Sequence, residues 1–122
     1  MTQEASILDG IELAHFIVQT LEDKKGSDIV VLDLRPDTVI ADFFVICSAN
    51  SDRQAKALAE NVREKVKETY QTLPTSTEGK GNSGWVLLDY GEVIVHVFLE
   101  EERRFYNLEE LWDKATVLVN IQ

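Results

Sequence analysis

Two short segments, IVVLDL at 29 to 34 and ADFFVICSA at 41 to 49, are apolar at almost every position. A strand with one wet face alternates apolar and polar residues, so a run without alternation reads as a strand covered on both sides. Such strands need helices to cover them, and the chain supplies two amphipathic candidates. Residues 7 to 23 place Ile7, Ile11, Ala14, Ile17 or Val18, and Leu21 at helical spacing, with Ser6 and Asp9 set like a capping box. NSDRQAKALAENVREKVKETY, from Asn50 to Tyr70, repeats Ala55, Leu58 or Ala59, Val62, Val66 and Tyr70 every three to four residues. Its Ser51 and Gln54 again have capping-box spacing, and its other face is charged.

KKGSD separates the first helix from the first strand, and Pro36 ends that strand. After Pro74 the stretch TSTEGKGNSG reads as a loop with room for a short strand ahead of it. WVLLDYGEVIVHVFL then predicts a β-hairpin turning at DYGE. In YNLEELW, Asn107 is the expected N-cap of a closing helix, with Glu110 three positions on. The predicted order is helix, strand, strand, helix, loop, hairpin, helix. That order implies an α/β (α+β) two-layer sandwich, a mixed sheet with helices mainly on one face. At 122 residues and 44% hydrophobic content the expectation is a single domain, residues 1–122.

Several motifs invite chemistry and fail on context. GKGNSG, Gly79 to Gly84, spells G-x-G-x-x-G, but a phosphate-binding loop of that kind must open a helix, and here a strand follows. Val86 and the Asp89-Tyr90-Gly91 tripeptide extend the likeness toward kinases. Only four residues separate loop from tripeptide, no H-R-D is present, and 122 residues are too few. His15 and His96 share no metal-ligand spacing, and a lone cysteine, Cys47 inside FFVICS, reads as a buried thiol; neither a metal nor another cofactor is expected. His96 lies on the strand face of Ile94 and Phe98 with no nucleophile paired to it, so it is packed or partner-facing. Glu100 to Glu102 could place two carboxylates on one side of a continuing strand, but Arg103 and Arg104 follow and can neutralise them.

The surface pattern is more informative. Alternation along β-hairpin residues 85 to 89 sends Trp85, Leu87 and Asp89 to one face and Val86 and Leu88 to the other. If the helices take Val86 and Leu88, Trp85 and Asp89 lie on the open side, where an aromatic side chain is a natural anchor; core packing of Trp85 is the competing reading. Twelve Lys and Arg against 22 Asp and Glu give a net charge of -10. That balance opposes docking on phosphate backbone and suits a basic partner, although solubility alone also favours it. The N-terminal MTQEASILDGIELAHF lacks the layout of a secretion or transit signal, and no run reaches about 18 apolar residues. A soluble cytoplasmic protein with no membrane contact is the expectation.

Taken in order, ADFFVICSANSDRQAKALAENV, Glu78-Gly79, WVLLDYGEVIVHVF and RRFYNLEELW resemble the ribosomal silencing factor family (RsfS, also called Iojap). The likeness spans about residue 7 to Trp112, leaving the last ten residues outside. It implies a nucleotidyltransferase-like fold used without catalysis, since the Asp-x-Asp signature of the enzymes is absent. The implied activity is binding to the large ribosomal subunit through ribosomal protein L-fourteen, which blocks joining of the small subunit and damps translation when nutrients are scarce. A role in assembly of the large subunit belongs to the same implication. The matching positions are Trp85, Leu87, Asp89, Tyr90 and Glu92, with Arg104 and Tyr106 at the rim. Trp85 and Tyr90 are assigned as aromatic anchors, and Asp89 and Glu92 as partners for Lys or Arg. A nucleotide-binding or nucleotidyl-transfer enzyme on the same fold is the alternative, and self-association as a homodimer through the open sheet face is compatible with docking.

Overall fold

The computed structural model describes residues 9–35, 39–79 and 83–122. Ser6 and Ile7 of the first expected helix, Pro36, and the middle of the Gly79 to Gly84 loop lie outside the described residues.

The first helix, α1 (Gly10–Asp23), is capped by Asp9, whose Oδ1 accepts from the Ile11 N–H at 3.3 Å. Leu13, Ala14, Ile17, Val18 and Leu21 form its buried stripe. It ends where Lys25 enters the left-handed region at φ 68 and the Gly26 N–H donates to the Leu21 carbonyl at 2.9 Å. Strands β1 (Ser27–Asp33) and β2 (Phe43–Ala49) follow, then α2 (Asp52–Tyr70). Ser51 Oγ accepts from the Gln54 N–H at 3.1 Å, while Gln54 Oε1 reaches back to the Asn50 N–H at 2.6 Å. The expected capping pair is therefore present, its return bond shifted one residue upstream.

Strands β3 (Ser76–Glu78), β4 (Trp85–Asp89) and β5 (Val93–Leu99) come next, then two short helices, α3 (Glu100–Tyr106) and α4 (Leu108–Leu111), and finally β6 (Thr116–Ile121). The six strands form one mixed sheet in the order β3-β4-β5-β2-β1-β6. Among the described residues only β2 and β5, the central pair, run parallel, from Phe43 opposite Val93 to Ala49 opposite Leu99. Every residue of β2 is buried, as is all of β5 up to Phe98, which is what unbroken apolar runs require. Full burial of Phe43 and Phe98 each contributes roughly 2 to 3 kcal/mol.

Helices α1 and α2 cover one face, packing on Val31, Val45, Cys47, Leu88, Val95 and Val97. The opposite face carries a smaller cluster of Leu32, Phe44, Ile46, Ile94 and Phe98, onto which Leu108, Trp85, Leu87 and Trp112 fold. The α+β mixed sheet is thus as expected, but two elements were not. The helix expected after Asn107 is present as α4 with Asn107 at its N-cap position, but α3 precedes it, and Asn107 (φ 44) is also the left-handed residue that ends α3, with its N–H donating to Arg103 O at 2.9 Å. Its side chain caps no backbone group and instead bonds Glu110 Oε1 at 2.6 Å. Beyond it, TVLVNI adds β6 against β1, with Ile29 opposite Ile121.

Candidate functional site

The alternation in β4 resolves as the helices dictate. Val86 and Leu88 pack on the helix-covered side, under α2, and Trp85 and Leu87 project from the other face. Two cross-strand pairs set their surroundings, Trp85 with Phe98 and Leu87 with His96. The Trp85 ring stacks on Phe98 with centroids 4.9 Å apart and leans on Tyr106 of α3 at 4.5 Å. Phe105 meets Tyr106 edge-on at 5.0 Å, and on the far side His96 continues the array to Phe44 at 4.6 Å and on to Trp112 at 5.9 Å. Phe105, Tyr106 and Leu111 are exposed at 78%, 45% and 69%, and Trp85 is half-buried. A continuous aromatic face therefore runs across the sheet, anchored in core at Phe98 and wet at Trp85 and α3. Between Trp85 and Tyr106 lies a shallow cavity of about 210 Å³, floored by Leu87 and edged by Glu78 and Ser83.

Of the expected site residues, Trp85, Leu87 and Tyr106 come together. Asp89 closes β4, where its Oδ1 accepts from the Gly91 N–H at 2.8 Å, so one carboxylate oxygen shapes the turn. Tyr90, assigned as a second aromatic anchor, packs against the helix-covered cluster, on the other side of the sheet from Trp85. It stands at the turn, outside the strand alternation, and its hydroxyl is buried without a partner there. Burial pushes that phenol up to about 12. Glu92 is exposed at the hairpin tip, its carbonyl accepting from Asp42 and Phe43 N–H and its carboxylate beside Gly10 at the start of α1. Arg104 is exposed on α3 and paired with Glu100 at 3.3 Å.

Phe105, Phe44 and Leu111 were not among the expected residues; the run Phe105-Tyr106 next to two arginines was the available signal. Three carboxylates that could have extended β5, Glu100 to Glu102, instead form the first turn of α3, where the helix dipole favours them. Arg103 does not neutralise them. Its Nη2 pairs with Glu109 Oε2 at 2.7 Å, and its Nη1 bonds the Asp28 carbonyl at 2.6 Å and Ser48 Oγ at 2.8 Å. Cys47 is fully buried, and desolvation pushes its thiol up to about 12, so it is no nucleophile in the folded chain. His96 is 3% exposed and packs with Ile94 and Phe98 as its strand position predicts, and burial holds its pKa down at about 4. Among the described residues no helix is long and apolar enough to cross a membrane.

Over residues 8–122 the sequence matches a family described as ribosomal silencing factor during starvation, RsfS. It is 40% identical over 104 residues to the ribosomal silencing factor RsfS of Halalkalibacterium halodurans, covering 85% of this chain and 88% of that one. Against the RsfS of Bacillus subtilis it is 42% identical over 94 residues, covering 77% and 79%. A crystal structure of a protein from Chromobacterium violaceum superposes with a TM-score of 0.82 at 36% identity, over 92% of this chain and 94% of that one. The family match continues past Trp112, so β6 belongs to the shared region rather than outside it.

Proposed function

The chain belongs to the ribosomal silencing factor family, and from that premise we propose that it represses translation by docking on the large ribosomal subunit through ribosomal protein L-fourteen and sterically blocking the small subunit. The observation that carries this reading is the half-exposed aromatic face of Trp85, Leu87 and Tyr106 on the side of the sheet that α1 and α2 leave free. Aromatic anchors backed by a rigid sheet lose little side-chain entropy on binding. A net charge of -10 steers the molecule toward a basic protein surface and away from the surrounding RNA. Asp89, at the end of β4, and Arg104 on α3 are the polar groups assigned to the rim of this face, whereas Glu92 lies beside α1 on the other side of the sheet. Steric exclusion needs an interface of only about 800 Å² on each partner and no reacting group.

The test is sedimentation with isolated large subunits and a subunit-joining assay. The wild-type chain is expected to pellet with large subunits and to lower the fraction of joined ribosomes. Trp85→Ala, folded by circular dichroism, is expected to lose at least ~2 kcal/mol of binding, about thirtyfold in affinity. Unchanged binding by that variant would falsify the placement of the docking face.

A further inference from the structure

Trp85 offers one polar atom, and the core takes it: indole Nε1–H donates to Nδ1 of His96 at 3.1 Å. An indole nitrogen is always a donor, so Nδ1 must be the lone-pair nitrogen and the neutral ring carries its proton on Nε2. That Nε2–H is buried without a partner. An isolated buried donor costs stability, and a phenylalanine or leucine would fill the same space between Phe44 and Phe98 without that cost. The His96 ring is itself held by those two neighbours, parallel to Phe98 at 6.0 Å with 8° between planes and edge-on to Phe44 at 4.6 Å. What histidine supplies here and an apolar residue cannot is a rigid acceptor aimed at Trp85.

We propose that His96 is the positioning residue of the docking face, fixing where the Trp85 indole sits within its own plane before any partner arrives. The proposal rests on the docking role of Trp85. Phe98 and Tyr106 flank the ring at 4.9 and 4.5 Å but leave it free to slide in its own plane, because stacking is only weakly directional. The hydrogen bond removes that freedom. With its donor already satisfied, Trp85 meets the partner through apolar ring atoms and leaves no indole N–H to be desolvated on contact.

Three variants test this with purified large ribosomal subunits as the probe. His96→Phe keeps the ring and removes the acceptor. His96→Asn places a carbonyl oxygen near the position of Nδ1, and His96→Gln places it near Nε2. In His96→Phe the Trp85 indole N–H resonance, assigned with Trp85→Phe, is expected to move upfield, and affinity to fall about three- to tenfold, the loss when one side chain is ordered on binding rather than before it. His96→Asn is expected to restore both readouts and His96→Gln neither. Wild-type affinity in a folded His96→Phe would overturn the proposal. So would equal binding by the Asn and Gln variants, a comparison that holds even if the Phe variant does not fold. Loss of docking as such is read separately, from Trp85→Ala.

Discussion

Arg103 ties together elements that the sequence keeps 75 positions apart. Replacing it with alanine removes the bond to the Asp28 carbonyl, the bond to Ser48 Oγ and the ion pair to Glu109. Asp28 is exposed and sits at φ 48, so water can replace the guanidinium on its carbonyl at little cost. Ser48 is 3% exposed, and its hydroxyl, left without that donor, is worth about 1 to 2 kcal/mol of destabilisation. The Glu109 pair is sheltered on the arginine side, 11% exposed, and contributes about 1 kcal/mol more. Lost packing of the arginine stem brings the total to roughly 3 kcal/mol, a fall in Tm of about 10 °C for a domain of this size. Urea denaturation followed by circular dichroism measures it. Arg103→Lys is expected to recover less than half, because an ammonium cannot span the three acceptors. Adding Ser48→Ala to Arg103→Ala should return part of the loss, since the orphaned hydroxyl goes with it. A loss below about 1 kcal/mol for Arg103→Ala, or strict additivity of the two substitutions, would show that Arg103 is a surface residue with incidental contacts.

Burial makes His96 a source of acid sensitivity. Its folded pKa near 4 lies below the unfolded value of about 6.5, so its contribution is complete above pH 6.5 and is lost as pH falls toward 4, about 3 kcal/mol in all. Subtracting His96→Phe from wild type in urea titrations at pH 7.5 and 4.5 isolates that slope, and parallel curves would refute it. Gly79 and Gly91 both have positive φ, 85 and 91, yet differ in surroundings. A Cβ at Gly79 would strike the Trp85 carbonyl, whereas one at Gly91 meets nothing within 4 Å. Gly91→Ala should therefore cost only the left-handed strain, about 1 kcal/mol, and Gly79→Ala more than about 3 kcal/mol together with a disturbed Trp85 fluorescence spectrum.

What the sequence showed and what it hid divide along local and long-range lines. The helical spacing of Leu58, Val62 and Val66, the Ser51 cap, and the two faces of β4 are decided within a few residues, and each is as read. Tyr90 is not, because strand alternation stops at Asp89 and a turn residue can fall to either side. Asn107 stands at the N-cap position of α4 as read, but its side chain caps nothing because α3 ends on the same residue, held in the left-handed conformation that asparagine tolerates. Helix α3 has no side-chain cap at Leu99 and draws its support from Arg103 reaching across to β1 and β2, which no local pattern reports. Strand β6 has ordinary strand composition; its exposed Val117 and Leu118 gave it no clear inward face until β1 was beside it.

The parallel junction of β2 with β5 has a kinetic meaning. Bringing β2 beside β5 closes a connection from residue 50 to residue 92, which contains α2, β3 and β4, and such non-local closure is slow compared with forming the β4–β5 hairpin. The aromatic array depends on that closure, since Phe44 comes from β2 while Trp85, His96 and Phe98 come from the hairpin and Tyr106 from α3. In chain order β2 is made before the hairpin, so its edge waits exposed until β5 arrives to cover it. The array is therefore completed only when α3 has been added, because Tyr106 follows its other members in this set along the chain.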